Sequence, residues 1–385
     1  MYPDTVLVYR EVKPLRFIVT GGGTGGHIYP ALAIANGLKT SFSNSKILYI
    51  GTALGLEADI VPKAGFDFQT VRAMGLKRSL SMHNLKVPWQ VISGYQEAKK
   101  LLRKFKPQVV VGTGGYVCGP VVLAAARMKI PTLIHEQNAL PGVTNRILSR
   151  RVDRVAATFE EALPFFPSKT PVSITGLPVR TEIISASRED ARKNMGLDTG
   201  KLLALSFGGS QGALSLNKAI AQALRFIAGI PELQLLHVTG NSQSDNFMEL
   251  MQSEGLQANL LDNVHITPYL YNMPEAMAAA DLVICRSGAA TLAEITVRGL
   301  PALLIPFPFA TGNHQEHNAR ALVSKGAAEM ISDAELNGET LLDKMKYFIN
   351  HREYLSEMSA ASLRIGKPNA LNDILSLIRE IINKG

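Results

Sequence analysis

Three glycine-rich turns hold the residues best placed for chemistry, each directly after a short apolar run. Gly21-Gly22-Gly23-Thr24-Gly25-Gly26-His27 follows Arg16–Thr20, Gly112-Thr113-Gly114-Gly115-Tyr116 follows Gln108–Val111, and Gly208-Gly209-Ser210-Gln211-Gly212-Ala213 follows Leu202–Ser206. Glycine lets the backbone take positive φ and approach a ligand closely, and the N–H groups of a following helix form an anion site. One such turn can be a bare bend. Three at strand C-termini, two in the first half of the chain and one in the second, point to two phosphorylated ligands.

Gly21, Gly23 and Gly26 also satisfy G-x-G-x-x-G, so a nicotinamide-dependent oxidoreductase competes as a reading. That reading requires an acid at the end of the second strand to hold a ribose. Lys46–Ile50 is followed instead by Gly51-Thr52, with no acid before Glu57. None of the turns ends in G-K-[ST], which excludes a P-loop NTPase.

His27 opens the helix after the first turn, where an imidazole suits general-base work on a hydroxyl, the alternative being a capping or packing histidine. His135-Glu136-Gln137-Asn138 follows the run Pro131–Ile134; Gln137 and Asn138 offer sugar hydrogen bonds, and Glu136 can orient or activate a base. Arg180, after Gly176-Leu177-Pro178-Val179, is either a clamp on a diphosphate or a surface arginine. There is no Asp-x-Asp and no clustered His or carboxylate at ligand spacing, so no metal and no cofactor is expected. Backbone N–H groups, a helix dipole and arginine would then meet the charge of a departing diphosphate.

The elements that must hold these residues alternate between strand and helix. Besides the runs above, Lys46–Ile50 reads as a strand in the first half, and Leu235–Thr239, Val264–Thr267, Asp281–Cys285 and Ala302–Ile305 in the second. Helical patterns lie between them at Ala31–Leu38, Gln90–Phe105, Val121–Met128, Leu214–Ala228, Met273–Ala280, Thr291–Val297 and His314–Leu322. Such alternation builds βαβ units, and Gly176–Asp190 interrupts it. The expected fold class is α/β: two doubly wound, Rossmann-like domains facing a central cleft, with ligands at the strand C-termini. Residues 1–180 form the first domain and 181–370 the second, and 371–385 is a helix packing back on the first. At 385 residues the chain exceeds what one core usually supports.

Cys118 and Cys285, the two cysteines, are far apart, which suits buried thiols in a reducing compartment. Met1–Arg16 lacks a signal-peptide pattern, and no apolar run is long enough to cross a bilayer. The net charge of +8 is concentrated: Arg72, Lys77, Arg78, Lys86, Lys99, Lys100, Arg103, Lys104 and Lys106 face one acid, Glu97, over that stretch. Leu76, Leu80, Met82, Leu85, Val87 and Trp89 are interleaved, a mixture suited to an anionic lipid surface. No nucleic-acid-binding signature accompanies it; the alternative is a solvated helix face.

The blocks GGTGGHIYPALA, GTGGYVCGP, HEQNALPGVTNR, TGLPVR, SFGGSQGA, AAADLVICRSGAATLAE and GLPALLIPFP together resemble the MurG family of bacterial cell-wall N-acetylglucosaminyltransferases. The resemblance implies an inverting glycosyltransferase of the GT-B fold, moving GlcNAc from UDP-GlcNAc to the C4 hydroxyl of MurNAc in undecaprenyl-diphosphate-linked lipid I to give lipid II. It implies that the first domain takes the acceptor, with Gly22, Gly23, Gly114, Gly115 and Tyr116 at its diphosphate and His27 as base beside Glu136. Thr24, Gly25 and Gly26 would lie near the donor diphosphate and the acceptor. Asn138, Arg180 and Ser210 would contact the donor, Leu270 the uracil through its backbone, and Ala289, Ala290, Thr291, Leu292, Ala293 and Glu294 the diphosphate and ribose. Gln315 would meet the GlcNAc hydroxyls. Leu76–Trp89 looks like a docking face for the anionic inner surface of the cytoplasmic membrane, which implies a cytoplasmic, peripheral enzyme whose protein partners belong to cell-wall synthesis and division. Two departures stand out: the family's Gly-Asn-Pro-Val-Arg reads GLPVR here, and its Asp-x-Gln-Gln reads Gly312-Asn313-His314-Gln315. Residues 1–15 find no counterpart. Other readings are a GT-B enzyme with another acceptor, such as a glycolipid synthase, and a protein that binds UDP-GlcNAc without turnover.

Overall fold

The structure, a computed structural model, describes residues 14–75, 82–209, 211–256 and 262–384. The first seven strands are β1 (Arg16–Thr20), β2 (Lys46–Gly51), β3 (Asp67–Thr70), β4 (Val109–Gly112), β5 (Thr132–Glu136), β6 (Arg154–Ala157) and β7 (Val172–Ile174). They form one sheet in the order β3-β2-β1-β4-β5-β6-β7. The next six are β8 (Leu202–Phe207), β9 (Leu233–Val238), β10 (Val264–Thr267), β11 (Leu282–Cys285), β12 (Ala302–Leu304) and β13 (Ala328–Met330), in the order β10-β9-β8-β11-β12-β13. Pairings such as Phe17 opposite Val109 and Leu282 opposite Ala204 are parallel. Both orders are doubly wound, with the winding reversing between β1 and β4 and between β8 and β11.

The strands adopt this form because both faces can be buried. In β8, Leu202 and Ala204 enter one core with Leu216, Ile220 and Phe348; Leu203, Leu205 and Phe207 enter the opposite one with Met277, Leu292 and Leu322. A period of two over an almost wholly apolar strand gives this double burial, and parallel strands require it.

The chain separates into two compact units. One comprises the described residues of Met1–His135, Ile147–Arg154 and Leu375–Gly385, and the other Glu136–Arg146 and Val155–Ile374. Strands β6 and β7 are nevertheless hydrogen-bonded members of the first sheet. The last helix, Ala370–Lys384, buries Ile374, Leu375, Ile378 and Ile381. Within the first unit its Glu380 pairs with Arg154 at 3.2 Å, and Arg379 lies 5.3 Å from the Phe42 ring centroid. Where the sequence pattern breaks at Gly176–Asp190, the structure has the short helices Thr181–Ser185 and Arg188–Asn194, the second capped by the Ser187 hydroxyl accepting from Asp190 N–H.

His237, in β9, is fully buried with Nδ1 3.2 Å from Ser206 Oγ and its ring 4.8 Å from that of Phe247. Burial drives its pKa down to about 3. Between that value and the ordinary 6.5 the unfolded chain binds a proton that the folded chain does not, so stability falls as pH falls. His237→Gln should remove up to about 1.4 kcal/mol per pH unit from the acid slope of unfolding free energy. Denaturant titrations at several pH values below 6.5 check this, and equal slopes for both proteins would refute it.

Candidate active site

The first two glycine turns leave neighbouring strands at the winding reversal of the first sheet. The first leads into the helix Gly25–Ser41, which has no acid in its first turn. The N–H groups of His27 and Ile28 donate to Thr24 O at 3.1 and 3.2 Å, so the amides of Gly25 and Gly26 are the first-turn donors with no carbonyl of this kind to serve. Gly23 holds φ at +86° and gives its N–H to Glu57 Oε2 at 3.1 Å, so it contributes shape to the site and not a hydrogen bond. Gly115 (φ +80°) packs so closely that a Cβ there would sit 2.1 Å from Gly22 O. The second turn is held by Cys118, whose Sγ lies 3.0 Å from Thr20 O, 2.9 Å from Gly114 O and 3.2 Å from Gly114 N. Burial pushes this thiol up to about 12, which makes it a fastener and not a nucleophile.

The His27 ring is fixed from the second turn: Nδ1 is 3.1 Å from Thr113 O, while the Thr113 hydroxyl donates to His27 O at 2.8 Å. A carbonyl only accepts, so Nδ1 carries the hydrogen and the neutral ring has its lone pair on Nε2, the tautomer a general base needs. Tyr116, beside Gly23, borders a cavity of about 710 Å³ that also takes in Thr52, Met74, Gly75 and Gln90. The structure thus brings Gly22, Gly23, Thr24, Gly25, Gly26, His27, Gly114, Gly115 and Tyr116 to one end of one sheet.

The second unit repeats the arrangement. After β11 the chain enters the helix Ala289–Arg298, again without an acid in its first turn. Leu292 N–H donates to Gly288 O, leaving the amides of Ala289, Ala290 and Thr291 as the outward donors; the Leu292 and Ala293 side chains are buried. One turn on, Glu294 accepts from Arg180 Nε at 3.2 Å and Nη2 at 3.0 Å. Burial raises the Glu294 carboxyl above the ordinary glutamate value, and Arg180 pulls it partly back. Arg180 also lines a cavity of about 570 Å³ with Tyr271 and Asn272, the residues directly after Leu270. Leu270 itself packs against the second core. Gln315 Oε1 accepts from Phe307 N–H at 3.0 Å, which turns its amide NH₂ into the group available to a sugar oxygen. Ser210 lies outside the described residues.

Glu136 is buried and saturated by its own loop. It accepts from Asn138 N–H at 3.0 Å, Asn138 Nδ2 at 3.3 Å, Gly142 N–H at 3.1 Å and Asn145 Nδ2 at 2.8 Å. These contacts shape the loop that presents Asn138. Two residues that sequence reasoning passed over are equally committed. Asn318, with no exposure, accepts from Ala139 N–H at 2.8 Å and donates to Asn138 Oδ1 at 3.1 Å and Ser287 O at 3.2 Å. Arg286 donates to Ile305 O, Asp333 and the Ser215 hydroxyl, and its guanidinium lies 5.5 Å from the centroid of Phe307, whose N–H holds Gln315. The only sequence signal for either is polarity on a helix's apolar face or at a strand end. Among the described residues, no group of three or more His, Cys, Asp or Glu could hold a metal ion, and no helix is long and apolar enough to cross a membrane.

Residues 17–157 match the glycosyltransferase family 28 N-terminal domain and residues 204–376 its C-terminal domain. A relative from Desulforamulus reducens, named UDP-N-acetylglucosamine--N-acetylmuramyl-(pentapeptide) pyrophosphoryl-undecaprenol N-acetylglucosamine transferase, is 52% identical over 96% of this chain and 99% of its own. One of the same name from Desulforudis audaxviator is 50% identical over 96% of this chain and all of its own. The crystal structure of Acinetobacter baumannii MurG superposes with a TM-score of 0.78 at 30% identity, over 95% of this chain and 100% of that one. The chain belongs to the MurG family. It is an α/β glycosyltransferase with the two-domain GT-B architecture of that family, as expected from its motif blocks.

Asn318→Ala should leave the Ala139 N–H, Asn138 Oδ1 and Ser287 O unsatisfied and cost roughly 1–3 kcal/mol for each group that stays dry. Asn318→Asp keeps the acceptor but loses both donors, so it should not restore stability. Thermal unfolding of the two variants against wild type measures this; a wild-type melting temperature for either would contradict the assignment.

Proposed function

We propose that this protein transfers N-acetylglucosamine from UDP-GlcNAc to the undecaprenyl-diphosphate-linked MurNAc-pentapeptide, lipid I, and so makes lipid II. Membership of the MurG family along nearly the whole chain carries this reading. The two anion-ready strand ends, one in each unit, supply its chemistry. The first unit takes the acceptor diphosphate at Gly22, Gly23, Gly114, Gly115 and Tyr116. The second takes the donor, with the Ala289–Thr291 amides at its diphosphate, Glu294 at the ribose, Gln315 at the sugar, and Asn138, Arg180, Ser210 and the Leu270 backbone as further contacts.

In the reaction, the C4 hydroxyl oxygen of MurNAc bonds to the GlcNAc anomeric carbon from the face opposite UDP. The bond from that carbon to the diphosphate oxygen breaks with inversion, its electron pair leaving on UDP. Nε2 of His27 takes the hydroxyl proton, and Glu136 acts by holding the Asn138 loop. Helix-terminal amides and Arg180 meet the charge gathering on the leaving group.

The first test is release of UDP from radiolabelled UDP-GlcNAc with and without a lipid I analogue. Acceptor-dependent release with label in the lipid is the expected result; binding without transfer would leave a donor site and reject the transferase. His27→Ala should lower kcat at least a hundredfold with little change in donor affinity.

Glu294 must be ionised to accept from two ribose hydroxyls, so the KM for UDP-GlcNAc should rise as pH falls through its raised pKa. Arg180→Ala removes the cation that holds that pKa down, and the acid limb should move to higher pH. An acid limb at the wild-type position in Arg180→Ala would sink the assignment.

A peripheral position on the anionic cytoplasmic face of the membrane fits the helix Met82–Phe105. There Trp89 is 76% and Ile92 55% exposed, with Lys100, Arg103 and Lys104 exposed further along; Leu76–Ser81 lie outside the described residues. Trp89→Ala should weaken binding to phosphatidylglycerol vesicles, and binding should fall with salt. Equal sedimentation with neutral phosphatidylcholine vesicles would reject an electrostatic docking face.

A further inference from the structure

Glu57 stands closest to where a dinucleotide-binding fold keeps its ribose acid, yet its side chain has no solvent exposure. It opens the helix Glu57–Lys63 after β2. Oε1 accepts from Thr52 N–H at 3.0 Å and the Thr52 hydroxyl at 2.8 Å, and Oε2 accepts from Gly23 N–H at 3.1 Å. With these donors engaged inside the fold, the carboxylate is turned away from any ribose, which removes the oxidoreductase alternative on structural grounds. Space is as tightly assigned as hydrogen bonds. A Cβ on Gly22 would lie 2.5 Å from Oε1 and one on Gly55 2.3 Å, while on the other side of the first turn a Cβ on Gly115 would strike Gly22 O. The first turn is therefore stacked between a buried carboxylate and the second turn.

We infer that Glu57 is a positioning residue for glycosyl transfer: by drawing the Gly23 N–H inward it sets the first glycine turn against the second, and so aims the Gly25 and Gly26 amides and the His27 ring. The inference rests on the acceptor-side reading of these turns. Direct attraction is excluded as its contribution, because a carboxylate behind a diphosphate site repels the diphosphate. Its value to the site is geometric, and misplacing a base by a fraction of an ångström costs rate before it costs affinity.

That sign difference makes the test specific. In Glu57→Gln, either orientation of the amide sets an NH₂ group against a backbone N–H, of Gly23 or of Thr52, while the volume is unchanged. The expected result is a folded protein whose kcat falls tenfold or more, whose KM for a lipid I analogue is unchanged or lower, and whose UDP-GlcNAc affinity stays within twofold. Thr52→Val serves as the control, since it removes a donor from the same carboxylate without touching Gly23; it should lower the melting temperature and leave kcat within about threefold. A kcat within twofold of wild type in folded Glu57→Gln overturns the inference, as does an equal kcat loss in both variants. Should Glu57→Gln not fold, Glu57→Asp, which draws the carboxylate back from Gly23, is read by the same criteria. No transfer by the wild-type chain would instead defeat the transferase reading itself.

Discussion

Inside a parallel sheet every strand amide and carbonyl is spent on its neighbours, and both faces of these strands are packed with apolar side chains. Polar chemistry is thereby confined to the strand ends. It is confined further to the place where successive crossovers depart in opposite directions, because only there do two loops diverge and leave room. In the first sheet that place is between β1 and β4, and in the second between β8 and β11. The first two glycine turns, His27 and the Ala289–Arg298 helix all leave strands that flank these two gaps. The places proposed for donor and acceptor are consequences of strand order before they are consequences of any single residue.

Room for a ligand comes with a cost, since a loop at a strand end has lost the ladder that would hold it still. In both units the remedy is a buried or nearly buried polar side chain that ties the loop's backbone down. Cys118 and Glu57 do this for the first unit, and Glu136, Asn318 and Arg286 for the second. Each meets backbone groups that would otherwise be costly to bury, and all but Cys118 meet polar side chains as well. The groups proposed to face ligands are of a different kind: helix-terminal amides that need no support, and a few side chains such as His27, turned by Thr113 O, and Gln315, turned by Phe307 N–H.

This division explains what the sequence made legible. All the interior strands but β6 (RVAA) stood out as apolar runs, and the glycine turns as breaks after them, because both are local in sequence. The edge strands β3 (DFQT), β7 (VSI) and β13 (AEM) did not, being short and half wet with no apolar run, whereas the edge strand β10 (VHIT) did. The Gly25–Ser41 helix begins well before the expected Ala31, because glycine and Pro30 conceal a start that the turn imposes. The residues proposed to act on ligands were singled out through their place beside a turn. The fasteners were not, because what marks Glu57 or Asn318 is a partner distant in sequence: Gly23 for one, Ala139 for the other. Glu136 shows the same limit, for its type suggested base chemistry and its four loop contacts suggest support.

Charge completes the argument. The two strand ends proposed for diphosphates each keep a carboxylate close by, which Coulomb repulsion disfavours unless each carboxylate is compensated by donors or a cation. Glu57 keeps its charge but is held permanently by hydrogen-bond donors sealed within the fold. Glu294 is neutralised by Arg180, half of whose side chain is exposed, so that pair can open. An arginine released from a carboxylate can turn to a diphosphate, and the carboxylate it leaves can accept from sugar hydroxyls. The same two side chains would then serve each other before a nucleotide sugar binds and two parts of it afterwards. A permanent brace and an exchangeable pair are therefore distinguished by exposure: the sealed carboxylate keeps its place through turnover, and the accessible one is free to take part in it.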